Sequence, residues 1–144
     1  MASKHNRMKK HIFLGAALLL IMIQLSAQTP VYLTKAYKPV ESDRYTAYSS
    51  LEIQGGDTWN NCFTLGVINN YHGHATFNIG GKYETISFIL GAVKNHGGYD
   101  PNIVQIHADG KRIFDHVLRD GDLEQHFTLN ISGVDKLEFS LVKP

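Results

Sequence analysis

The chain holds one cysteine, one tryptophan and four prolines in 144 residues. A single thiol cannot close an internal disulfide, so the fold must rest on its apolar core. Cys62 itself lies in the apolar run CFTLGV and reads as a buried, inert thiol. An excess of one charge is also missing: fourteen Lys and Arg stand against thirteen Asp and Glu. The basic residues are scattered, which leaves no electrostatic footprint for nucleic acid or an anionic membrane surface. No P-loop, dinucleotide fingerprint or nucleophile elbow is spelled anywhere. Internal repeats and low-complexity linkers are absent too.

What is present begins with an address. Lys4, Arg7, Lys9 and Lys10 form a positive start, and Ile12 to Ile23 is an uncharged apolar run. Leu25-Ser26-Ala27 then offers a small residue before a cut at Gln28. The run is shorter than the roughly 20 residues of a membrane-spanning helix. Residues 1–27 are therefore expected to be a signal peptide, and the protein to be exported, periplasmic or secreted, with no membrane contact after cleavage near Ala27. A lipoprotein would need a cysteine at the cut, and the only one is Cys62. The remaining 117 residues (144 less 27) suit one domain. The four basic residues go with the address. Ten Lys and Arg then face thirteen Asp and Glu, a formal charge of −3.

Past the address the pattern is that of strands. Residues 28–46 read as a lead-in with a short strand near Val31 to Leu33, limited by Pro30 and Pro39. Strands are expected over Ser49 to Gln54 and Cys62 to Val67, with Ile68 to Gly73 as a polar loop. His74 to Ile79 places Ala75, Phe77 and Ile79 on one face. Tyr83 to Val93 is the most apolar stretch past the address. Ile86, Phe88 and Leu90 share a face and Ile89 backs them, as in a central strand. Lys94 to Asn102 is a long loop built on two glycines and a proline. Ile103 to Ala108 and Arg112 to Leu118 form a hairpin about Asp109-Gly110. A two-residue loop would put Asp115 on the face of Ile106 and Ile113, so a three-residue loop with a glycine bulge, which puts Phe114 opposite Ile106, is expected. Phe127, Leu129 and Ile131 alternate inward, as do Leu137, Phe139 and Leu141. No helical period appears. The expected fold is all-β: an antiparallel β-sandwich of eight or nine strands over residues 47–144.

These segments carry a family resemblance. Gly66-Val67, HATFNIGGKYETISFILGAV, ADGKRIF and SGVDKLEFSLV resemble, in order and spacing, the NPCBM family of carbohydrate-binding modules. That family is found beside family 98 glycoside hydrolases and is related to family 51 carbohydrate-binding modules. The resemblance covers about residues 48–144. His74-Ala75, Gly81-Lys82-Tyr83 and Gly91 stand where the family has its histidine-alanine pair, its turn and its strand-ending glycine. The resemblance implies a jelly-roll-like sandwich that binds glycan through loops at one end or edge, without catalysis. It implies carbohydrate as ligand and a glycoside hydrolase as working partner. No cofactor is expected beyond the structural calcium ion that some relatives hold.

Sugar recognition needs flat aromatic faces for the ring and polar groups for its hydroxyls. Three stretches offer both. The first is Trp59-Asn60-Asn61, where Trp59 is either a sugar platform or a plug in one end of the core. The second is Asn69 to His74, with Tyr71, His72 and the family-matched His74. The third is Asn95 to Asn102, with Asn95, Tyr99 and Asp100. Trp59, Tyr71 and Tyr99 are expected to stack on sugar. Asn60, His72, His74, Asn95 and Asp100 are expected to bond its hydroxyls, provided the three stretches meet at one end.

Two other functions compete. Gly66 followed by His72-Gly73-His74 fits the opening of the cupin metal motif, in which both histidines share one strand face. The glutamate of that motif falls here on Asn78 or Ile79, and Glu84 is too far along. The other competitor is a structural or adhesive sandwich that binds protein. Asp120, Asp122 and Glu124 lack the full oxygen set of a calcium loop and read as a solvated turn.

Overall fold

Period-two alternation of apolar and polar residues decides the architecture. The computed structural model describes residues 18–24, 31–52, 57–68, 71–91, 101–119 and 122–144. Strands run over β1 (Leu18–Gln24), β2 (Glu41–Asp43), β3 (Tyr45–Glu52), β4 (Thr58–Leu65), β5 (Val67–Ile68) and β6 (Tyr71–His72). They continue through β7 (His74–Asn78), β8 (Thr85–Gly91), β9 (Asn102–Ala108), β10 (Lys111–Leu118), β11 (Gln125–Asn130) and β12 (Lys136–Val142). One helical turn, α1 (Leu33–Ala36), precedes β2. One sheet has the order β11-β8-β1-β4-β3 and the other β10-β9-β12-β7-β2, and β5-β6 is a short ribbon. All pairings are antiparallel. The expected jelly-roll-like antiparallel β-sandwich is the fold observed.

Between the sheets lies an aromatic core. Phe63 of one sheet meets Phe77 and Phe139 of the other at ring separations of 6.1 and 5.6 Å. All three are buried, with Ala75, Ile86, Val104, Ile106, Leu137 and Leu141 around them. Ile79 and Ile131 close this core where their strands end. Cys62 is a buried thiol outside any disulfide, as its surroundings in the sequence imply, and its Sγ donates to the Trp59 carbonyl at 3.8 Å. The β9–β10 turn is two residues, Asp109 and Gly110, both at positive φ. The register then shifts between Arg112 and Phe114, so Phe114 does face Ile106. The bulge therefore sits inside β10, not in the turn, and it spares Asp115 an inward position.

Three local expectations differ from the structure. The strand near Val31 to Leu33 is replaced by α1, whose Leu33 is buried. Val31 keeps a single β-bridge, and the helical turn starts only at Leu33. The strand expected from Ser49 begins four residues earlier, at Tyr45, because Tyr45 packs its ring on Phe63 and Phe77. The polar stretch after Ile68 is a β5–β6 hairpin, not an open loop, with Val67 opposite His72. β1 falls inside the predicted signal segment and pairs with β8 over seven residues, Leu18 to Gln24, and with β4 through Leu19 and Phe63.

Pairing registers define the two ends of the sandwich. Gly66 N donates to the Arg44 carbonyl, Gly73 N to the Gly66 carbonyl and Leu141 N to the Gly73 carbonyl. The end of β4, the ribbon, the start of β7 and the end of β12 therefore share one end. Val142 pairs Ile103, so the start of β9 joins them. At the far end, Ile131 N donates to the Glu84 carbonyl and Ile79 N to the Asp135 carbonyl. That places the start of β8 at the far end, and its finish, Gly91, at the ribbon end.

Candidate functional site

The ribbon end gathers most of the chemistry that the sequence singled out. Gly73 makes it tight: a Cβ there would stand 2.7 Å from the Gly66 carbonyl oxygen and 2.9 Å from its nitrogen. Only glycine permits that approach, and the approach holds His72 and His74 on either side of the joint. His74 is half-buried on the face of β7 opposite Ala75 and Phe77, which point into the core. Its Nδ1 lies 3.9 Å from a carboxylate oxygen of Glu41 on the neighbouring β2. That is ion-pair range and too long for a hydrogen bond. His72 Nε2 and His74 Nδ1 are shielded from solvent and hold no hydrogen bond. A shielded polar atom without a partner is costly, and a ligand hydroxyl would relieve that cost.

The other predicted residues separate. Trp59 is 0 % exposed, so its indole offers no face to a sugar. The platform expectation for Trp59 fails and the plug reading holds, because β4 enters the sheet at Thr58 and its second residue already points into the core. Asn60 is half-buried but pairs with Ser50 near the start of β4. Five residues separate it from Leu65, on the order of 15 Å of strand. The expectation that Trp59-Asn60 would meet the histidines is therefore corrected: β4 carries that stretch toward the far end. Tyr71 lies on β6 beside His72, and its side chain falls outside the described residues. Asn95, Tyr99 and Asp100 fall outside the described residues as well. Their described flanks, Gly91 and Asn102, both stand at the ribbon end. Asn102 is 1 % exposed there.

Glu41 is a site residue that sequence reasoning missed. It lay in a stretch read as lead-in, and nothing local to it signals that β2 would pair beside His74. The cupin geometry does not form, because His72 belongs to the ribbon and His74 to a five-stranded sheet. Among the described residues no group of three or more His, Cys, Asp or Glu gathers to hold a metal ion. In the turn before β11, an Asp122 carboxylate oxygen accepts from Arg119 N at 2.8 Å, which makes that acid a local cap.

The profile of the NPCBM/NEW2 domain matches residues 22–143. The chain belongs to the NPCBM/NEW2 domain family. Among solved structures it is similar to a CBM51 domain from Clostridium perfringens GH95, solved in complex with methyl-galactose. That match has a TM-score of 0.59 and 12% identity, over 78% of this chain and 86% of that one. It is also similar to two structures from Clostridium perfringens ZmpB. One holds the M60 catalytic domain with the CBM51-1 and CBM51-2 domains (TM-score 0.54, 11% identity, 89% of this chain). The other holds CBM51-2 in complex with GlcNAc, with INT domains (TM-score 0.51, 9% identity, 94% of this chain). The NPCBM/NEW2 chain spans only 16% and 34% of those two longer chains. No curated protein matches the sequence. At these identities the likeness is one of fold.

Proposed function

We propose that this NPCBM/NEW2 domain is an exported, non-catalytic glycan-binding module whose sugar site lies at the ribbon end. One observation carries the placement: His72 Nε2 and His74 Nδ1, shielded and without a hydrogen bond, stand on both sides of the Gly66–Gly73 contact, with Glu41 beside His74. Imidazole nitrogens of that kind donate to or accept from sugar hydroxyls. Tyr71 and the flanking 92–101 segment supply further rings and amides in sequence. Family membership and sugar-complexed neighbours of the same fold support glycan as the ligand class. A shallow polar site loses much of its contact energy to desolvation, so single-sugar affinity is weak. Linked copies, or a glycoside hydrolase as partner, then raise avidity.

A glycan array probed with the purified protein tests this reading. Binding that disappears in His72→Ala and His74→Ala, with the thermal midpoint unchanged, is the expected result. An array on which the intact protein retains no glycan overturns it. Export rests on the charged start and apolar run of residues 1–27. Cleavage near Ala27 removes β1, the strand between β8 and β4. N-terminal sequencing of protein exported by a bacterial host is expected to begin at Gln28. A mature chain beginning before Leu18 overturns that assignment.

A further inference from the structure

A second feature lies along β4, away from the ribbon. A cleft of about 240 Å³ opens where α1 meets β3 and the kinked start of β4. Its lining is Thr34, Lys35, Ala47, Tyr48, Ser49 and Asn61. Asn61 is the unusual member, for its φ is +55 in the middle of a strand. Asparagine enters that region more readily than other non-glycine residues, so the position suits it. The ladder records the break. Tyr48 pairs with Cys62 and Ser50 with Asn60, while the intervening Ser49–Asn61 pair is skipped. The register is the same on both sides of the gap, and Trp59 and Cys62 are both buried although three residues apart.

We propose that this cleft is a second sugar subsite, taking one carboxylated pyranose residue of a glycan. The proposal rests on the glycan-binding reading above and adds a site that the ribbon end does not include. The cleft falls below the roughly 300 Å³ at which pockets for drug-sized ligands begin, which suits a single sugar ring. Tyr48 is half-buried against the core, so its ring is a platform already held in place. Asn61 offers an amide that donates and accepts, and Thr34 and Ser49 offer hydroxyls. Exposed Lys35 at the mouth supplies the cation that selects a carboxylate over a neutral sugar.

The test is an amide-shift NMR titration of the exported protein with galacturonic acid, and with methyl-galactoside as the neutral control. Saturable shifts at Ser49 and Asn61 that favour galacturonic acid are expected. Tyr48→Ala should abolish them. Asn61→Gly accepts the same backbone angle, so the fold is kept, and it should weaken binding about 2–10-fold through the lost amide bonds. Lys35→Gln should erase the preference for the acid. Shifts confined to the His72–His74 end, shifts unchanged in Asn61→Gly, or no saturable shift at Ser49 and Asn61 each overturn the subsite. The ribbon site is read separately, by the array and its histidine variants, so failure of one proposal is distinct from failure of the other.

Discussion

The two ends of this sandwich are built to opposite specifications. At the far end several polar groups fasten turns, although His107 Nδ1, 3.7 Å from Glu138, makes no hydrogen bond. Asp109 accepts from the backbone of Asp135 at 3.2 Å and of Lys136 at 2.8 Å, which ties the β9–β10 turn to the turn before β12. Gly81 N donates to the Val134 carbonyl at 2.8 Å beside it. Tyr37 and Tyr83 join hydroxyl to hydroxyl, their rings edge to face. At the ribbon end the backbone is just as tightly closed, but His72 and His74 keep ring nitrogens unpaired. The contrast teaches that polar residues of one type carry different meanings by position.

The largest expected break in that contrast is Trp59→Ala. A fully buried indole replaced by a methyl group should cost about 3–5 kcal/mol, measured by urea unfolding. Glycan binding per folded molecule should persist. An equally stable variant that has lost binding would restore Trp59 as a platform. Next is Gly73→Ala, where the new methyl must displace the Gly66 backbone. About 1–3 kcal/mol of destabilisation is expected, together with weaker glycan binding, because the histidine joint opens. Asp109→Ala should cost about 1–2 kcal/mol through its lost backbone bonds and leave binding untouched. Asp109→Asn, which tolerates the positive φ, should recover part of that loss.

The smallest effect is alkaline. Burial, and then the Cys62 thiolate, push Tyr45 up to about 12. Burial and the Tyr37 hydroxyl push Tyr83 to about 12. Each folded value stands above the ordinary 10, so the unfolded chain releases its protons first as pH rises. The contribution is whole below about pH 10 and is lost between about pH 10 and 12. Midpoints from melts across that window should fall, and Tyr83→Phe should flatten the fall.

Much of the sandwich was legible because its inward residues alternate cleanly. Phe77 and Ile79, Ile86 to Leu90, and Leu137 to Leu141 announce buried faces without help from distant partners. β4 was harder. Asn61 sits at positive φ and its own ladder pair is missing, while Trp59 and Cys62 are both buried three residues apart, so no period-two count spans them. The site was legible only in pieces. His72-Gly73-His74 is visible as a cluster, but Glu41 reaches it by pairing across more than thirty residues of chain. Which stretches share an end depends on strand direction and order, and neither is encoded locally. That is why Trp59-Asn60 could be grouped with the histidines from sequence alone.

Arg44, at φ +54, is the single residue between β2 of one sheet and β3 of the other. Along that flank the two layers are bound like the spine of a book. The opposite flank, β10 and β11, is joined by the six residues between Leu118 and Gln125. That edge is clasped by rings instead: Phe114 of β10 packs on Phe127 of β11 at 4.9 Å and on Phe88 of β8 at 5.1 Å. The volume is thus sewn by backbone along one margin and fastened by side chains along the other.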